Sequence, residues 1–157
     1  LECKDRMYHW DTNYGKMEVA SNENVIHRWD FKIRHLNKSN AIIVGITGSN
    51  KLEPNGYFLN TDARETTYAR YGNGWTYNAK KWDNQEAIEK YQFKQGDKVS
   101  MILDLKVAKL KFLVNDNDKW NCYPKVKKEN KTMYRMFVIL YDADDSIEIM
   151  KYTSKYM

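Results

Sequence analysis

The stretch Phe93–Asn115, FKQGDKVSMILDLKVAKLKFLVN, constrains the fold more than any other part of the chain. Val99, Met101, Leu103 and Leu105 fall on alternate positions, and Leu110, Phe112 and Val114 do the same beyond the turn Lys106–Lys109. A period of two places each set on one face of an extended strand, whereas a helix would scatter them around its axis. Two such runs joined by a short turn make a β-hairpin with one buried face. An ordered signature stands at each end: Phe93-x-x-Gly96-Asp97-x-Val99 before the hairpin and Asn115 after it. The hairpin reads as a scaffold. Asp104, alone between Leu103 and Leu105, has no second carboxylate to work with.

The rest of the chain repeats the strand signal. Trp29-Asp-Phe31-Lys-Ile33 alternates apolar and polar residues, so it has one buried and one wet face. Ala41-Ile-Ile-Val-Gly-Ile-Thr47 is apolar throughout, which predicts a central strand covered on both sides. Tyr134–Tyr141 and Ile147–Tyr152 read as two further strands separated by the acidic run Asp142–Asp145, and one more is expected around Lys16–Ala20. Turn signals punctuate these runs at Gly48-Ser-Asn50, Glu53-Pro-Asn-Gly56, Gly72-Asn-Gly74, Gln95-Gly-Asp97 and Asn115-Asp-Asn-Asp118. Only Trp82–Tyr91 suits a short helical turn. Many short strands with turns between them predict an all-β antiparallel sandwich or barrel. Trp29, Phe31, Trp75 and Phe112 are expected to point into its core.

With 157 residues the chain fits one domain and needs no covalent staples. Two cysteines, Cys3 and Cys122, make neither a disulfide framework nor a metal cluster, and they read as plain thiols suited to a reducing compartment. A chain that begins at Leu1 reads as a piece of something longer or as a processed product. LECKDRMYHW lacks the apolar centre of a signal peptide, and no run approaches the roughly 20 apolar residues of a membrane-spanning helix. A soluble, cytoplasmic protein with no membrane contact is the expectation. The net charge of +5 is dominated by lysine, densest at Lys125-Val-Lys127-Lys128. That run suits a solvated loop, and it would also suit nucleic acid, an acidic peptide or anionic lipid.

Taken in order, the strands resemble the SPRY domain at the core of the B30.2 family. The matching pieces are Trp29-Asp-Phe-Lys-Ile33, Ile42–Ile46, Tyr71-Gly-Asn-Gly-Trp75-Thr-Tyr77, Phe93-x-x-Gly96-Asp97-x-Val99, Leu103-Asp104-Leu105 and Leu110-x-Phe112-x-Val114-Asn115. Tyr134–Leu140 and Ile147-Glu-Ile149 close a series that covers about four-fifths of the chain. The resemblance implies a bent antiparallel β-sandwich of two sheets, a concanavalin-like jelly roll. It also implies a non-catalytic module that recognises a short peptide segment of another protein. The SPRY-like domain is expected over residues 25–157, with 1–24 a strand and extension packed on it and no clear PRY signature. Two departures stand out: the hairpin turn Lys106–Lys109 lacks the glycine often seen there, and Asp116 replaces the glycine that often follows Asn115.

The resemblance places Tyr57 and Tyr141 on the partner-binding face, Tyr57 in the long connection after the Ile42–Ile46 strand and Tyr141 at a strand end. A loop tyrosine offers wide contact area at low entropic cost. Arg64 or Arg70 could pair a carboxylate of an acidic peptide, with a surface ion pair to Asp62 or Glu65 the plainer expectation. Asp142, heading the acidic run, could attract a basic partner. The partner site is thus expected at Tyr57, Arg64, Tyr141 and Asp142. No cofactor or metal is expected, because the chain has no HExxH, GxSxG, P-loop or dinucleotide fingerprint. Asn115–Asp118 lacks the glycine and ligand spacing of a calcium loop. The sequons at Asn37 and Asn130 read as chance triplets. Two other readings stand behind the first. One is a lectin on a similar sandwich, which needs exposed aromatics. The other is a basic nucleic-acid binder, which needs lysines gathered on one face, whereas in the sequence they scatter.

Overall fold

A computed structural model describes residues 11–15, 18–37, 42–48, 65–79, 81–83, 92–117, 125–128, 132–141 and 144–156. Eleven strands follow in order: β1 Asp11–Tyr14, β2 Val19–Ala20, β3 Val25–His35, β4 Ile43–Thr47, β5 Thr67–Tyr71, β6 Thr76–Asn78, β7 Lys81–Asp83, β8 Lys98–Asp104, β9 Lys109–Val114, β10 Met133–Leu140 and β11 Ser146–Tyr156. They form two antiparallel sheets. One runs β1-β10-β4-β5-β6-β7 with β2 also on β10, and the other runs β11-β3-β8-β9. The expected two-sheet sandwich is the observed fold. The start of the Trp82–Tyr91 segment is strand β7 rather than helix, and residues 84–91 lie outside the described residues.

The period of two does what it predicts. In β3 the burial alternates, with Val25, Trp29, Phe31 and Ile33 inside. Val99, Met101 and Leu103 of β8 pair with Val114, Phe112 and Leu110 of β9, and these inward rows meet Val44, Ile46, Tyr68, Met136 and Val138 of the other sheet. Each fully buried Phe or Leu removes enough apolar surface from water to contribute about 1.5–3 kcal/mol. All five residues of β4 are buried, as its unbroken apolar run requires. Gly45 is needed there for room: a Cβ would stand 2.3 Å from the Tyr68 carbonyl oxygen and 2.9 Å from Ala69 Cα.

Two expectations fail. Trp75 is not a core residue: it precedes β6 on the Gly72–Trp75 turn and is 37% exposed, while Thr76 and Tyr77 behind it are buried. Its N–H donates to Asn73 Oδ1 at 3.0 Å and its carbonyl accepts from the Tyr71 N–H at 2.8 Å, so it closes the turn at the rim of the sheet rather than sitting within a strand. Arg70 does not lie on the surface where the ion pair was expected. It lies at 0% exposure on the same inward row as Val44 and Thr76, with its guanidinium carbon 5.1 Å above the Phe93 ring. A cation stacked on a ring face in a dry site is worth about 2 kcal/mol.

Six of the lysines, far apart in the sequence, come together on one face of the folded chain. Residues paired across the β11-β3-β8-β9 sheet share a face, so its outer side collects Arg28, Asp30, Lys32 and Arg34 from β3 and Lys98 and Asp104 from β8. Lys109 and Lys111 come from β9, and Glu148, Lys151 and Lys155 from β11. With Asp116, whose carboxylate reaches Lys98 and Arg28 on this side, eight basic groups face four acidic ones.

Candidate functional site

The end of the sandwich where β10 gives way to β11 is built by the sequence signatures themselves. Gly96 sits at φ +90°, a conformation that its missing side chain permits, and its N–H donates to the Ile33 carbonyl at 2.8 Å. Asp97 then ties the turn down. Its Oδ2 accepts from the Lys94 N–H at 2.8 Å, its Oδ1 from Asn115 Nδ2 at 2.9 Å, and its carbonyl from the Ile33 N–H at 2.9 Å. Asn115, at φ 52°, returns an Oδ1 acceptor to the Lys98 N–H at 2.9 Å. The Gly-Asp pair and the closing Asn are therefore one latch holding the start of β8 against the end of β9 and β3.

Asp116 follows at φ 61°, where a glycine would sit without strain, and it turns the position to electrostatic use. Its carboxylate takes Lys98 Nζ at 2.8 Å and Arg28 at 3.3 Å. The hydrogen bond from Lys98 and then the charges of Lys98 and Arg28 hold its pKa below the ordinary aspartate value. Arg28 also pairs Asp30 at 3.0 Å, and Asp30 accepts from the buried Ser100 hydroxyl at 2.5 Å.

Tyr141 follows the last residue of β10 and is half-buried at this rim. After it, Asp144 adopts φ 69° and Asp145 is fully buried, accepting the Asn37 N–H at 2.8 Å. Asp145 thus anchors the β10–β11 connection to the segment leaving β3 and is not the solvated aspartate its acidic neighbours suggest. On the same rim, the Gly72 N–H donates to the Ile42 carbonyl at 2.7 Å, which seats the Gly72–Trp75 turn beside the start of β4. The strand order β10-β4-β5-β6 separates Tyr141 from Trp75 by three strand spacings, roughly 14 Å. Together they give the rim two aromatic contact points. Tyr57, Arg64 and Asp142 lie outside the described residues, as do Cys3 and Cys122. The strand ends flanking the Tyr57 and Arg64 connection, Thr47 and Thr67, pair with each other beside Arg135, at the opposite end of the sheet from Tyr141.

Sequence reasoning placed Trp75 at an inward strand position although it read Gly72-Asn-Gly74 as a turn immediately before it. The signal was present, since Gly72-Asn-Gly74 breaks the run and Gly74 takes φ 95°. Among the described residues no three His, Cys, Asp or Glu side chains converge as metal ligands.

The architecture defines a class, a two-sheet antiparallel β-sandwich carrying connecting turns over its ends. Solved structures narrow it. A human SPRY domain superposes with a TM-score of 0.67 at 10% identity, over 94% of this chain and 88% of that one. The SPRY domain of human HERC1 gives 0.63 at 15% identity, over 91% and 83%. The Drosophila melanogaster neuralized NHR1 domain gives 0.55 at 12% identity, over 91% and 82%. No protein-family model and no curated protein matches the sequence. The fold of this chain is the SPRY fold.

Proposed function

We propose that this chain is a non-catalytic protein-interaction module that grips a short segment of a partner protein at the Tyr141 rim. The observation that carries the reading is the SPRY fold, together with aromatics displayed at one end of it: Trp75, 37% exposed, and Tyr141 at the β10 terminus. A latched scaffold beneath displayed aromatics suits recognition, because an anchor that is already ordered loses little entropy on binding. Asp142, next in the chain after Tyr141, joins the candidate contact set; the connection carrying Tyr57 and Arg64 leaves from the opposite end of the sheet and is not counted in this rim. Micromolar or tighter affinity, roughly −8 kcal/mol, is the expected range for such a site.

A peptide array probed with the wild-type chain and with the Trp75→Ala plus Tyr141→Ala variant tests this. Peptides held by the wild type are expected to weaken by about tenfold or more in the variant, the scale of an interface aromatic. Unchanged binding by a variant that keeps its circular dichroism spectrum would refute the rim assignment. Selective retention on a glycan array, with none on peptides, would move the function to a lectin.

A further inference from the structure

The edge of the four-stranded sheet offers a second surface, independent of the rim. β11 runs eleven residues and pairs with β3 on one side; among the described residues nothing pairs with its other side. Glu148–Lys151 and Thr153–Tyr156 are exposed, including Ile149 at 46%, Met150 at 51% and Tyr156 at 78%. A long open edge presents a row of backbone donors and acceptors to any chain that can lie beside it.

Register tells what such a chain must carry. Ile149, Tyr152 and Tyr156 pair with Phe31, Trp29 and Val25, so they lie on the inward, apolar side of the sheet. Lys151, Thr153 and Lys155 pair with Asp30, Arg28 and Ile26 and lie on the outer side. The shift in register between Ile149 and Lys151 makes Met150 the bulge residue and leaves both lysines on one face. Neither lysine makes an ion pair among the described residues. Behind them the outer face holds six basic groups against four acidic ones, Asp116 included, a field that with the two lysines steers anionic partners toward this edge.

We infer that β11 accepts, as an added strand, an extended polypeptide segment that alternates acidic and apolar side chains. Its backbone completes the ladder, its carboxylates meet Lys151 and Lys155, and its apolar residues cover Ile149, Tyr152 and Tyr156. About eight residues, or some 26 Å of extended chain, span the exposed edge. A second copy of this chain fits badly. The two-fold antiparallel register centred on Thr153 sets Lys151 against Lys155 of the other copy twice over, and in any register two copies bring together two outer faces of net positive charge. Single-stranded nucleic acid fits badly too, because the described outer-face positions of the four strands carry no aromatic side chain on which a base could stack.

Fluorescence anisotropy with a labelled peptide of alternating Glu and Val tests the inference against the Lys–Val counterpart. A third peptide keeps the Glu–Val sequence but has its alternate backbone nitrogens methylated. The Glu–Val peptide is expected to bind, the Lys–Val peptide to fail, and the methylated peptide to fail because it cannot pair. Lys151→Glu with Lys155→Glu is expected to weaken the acidic peptide by at least about tenfold and leave the folded spectrum intact, since both side chains are exposed. Equal binding of the methylated peptide would overturn the strand pairing in favour of charge alone. Absence of binding would overturn the inference outright. So would tighter binding to anionic vesicles or an oligonucleotide than to the peptide, or dimers in sedimentation that the two charge reversals do not change.

Discussion

Gly45→Ala should be among the most damaging single-methyl changes available to this protein. The added Cβ would meet backbone: Tyr68 O at 2.3 Å, Ala69 Cα at 2.9 Å and Ala69 Cβ at 2.9 Å. None of the first two atoms can swing aside as a side-chain tip would. Relief requires β4 and β5 to separate by about 1 Å, the gap between 2.3 Å and an ordinary carbon–oxygen contact. Five residue pairs, from Ile43↔Tyr71 to Thr47↔Thr67, hold these strands together, and all of β4 is buried. Overpacking costs about 1–3 kcal/mol, and each stretched ladder hydrogen bond adds about 1 kcal/mol. A loss of about 3 kcal/mol follows, which at this chain length lowers the melting temperature by roughly 6–12 °C. Thermal unfolding followed by circular dichroism measures it. A Gly45→Ala protein melting within about 1 °C of wild type would show that the β4–β5 approach is not as close as the backbone indicates. Gly96→Ala is the matched control: nothing lies within 4 Å of its Cβ, so only the φ of +90° is charged against it.

Three further outcomes are expected. Ala108 closes the hairpin turn at φ 55° where a glycine is absent, so Ala108→Gly should stabilise by up to about 1 kcal/mol in urea melts, less the entropy that glycine adds to the unfolded chain. Asp97→Ala opens the latch to Lys94 and Asn115 and should cost about 1–2 kcal/mol by the same measurement, with Asn115→Ala adding about 1 kcal/mol on top because it also removes the acceptor of the Lys98 N–H. His27 is buried, packs in a three-ring cluster with Trp29 and Tyr152, and bonds the Tyr152 hydroxyl at 2.7 Å, while among the described residues its Nε2 has no hydrogen-bond partner. Burial lowers its pKa below 6.5 in spite of Glu23. The unfolded chain therefore takes up the proton first: stability is complete above pH 6.5 and is lost as the pH falls through the lowered folded value. The slope is at most about 1.4 kcal/mol per pH unit. His27→Gln should flatten that part of a pH–stability profile, and an unchanged slope would assign it to other groups.

Strand identity was legible from the sequence because alternation is local. Trp29-Asp-Phe31-Lys-Ile33 and Val99–Leu105 carry their burial pattern in consecutive letters, and the unbroken Ile42–Ile46 run announces a strand covered on both faces. The ordered signatures also made the SPRY fold recognisable, since Gly96, Asp97 and Asn115 are the parts of one turn-and-latch device. Local pattern says nothing of what lies across the strand. Arg70 reads as a surface cation until the register sets it beside Val44 and Thr76 and over Phe93. Trp75 reads as core until the Gly72–Trp75 turn, closed by Asn73 and Tyr71, leaves it on the rim. Lysines separated by as many as 123 positions, such as Lys32 and Lys155, share a face only because β3 and β11 pair with a bulge at Met150. By itself the sequence determined which segments extend and which side of each is dry. Only the tertiary structure decided which charges stand together and which edge stays open, because pairing across a sheet is set by partners distant in the chain.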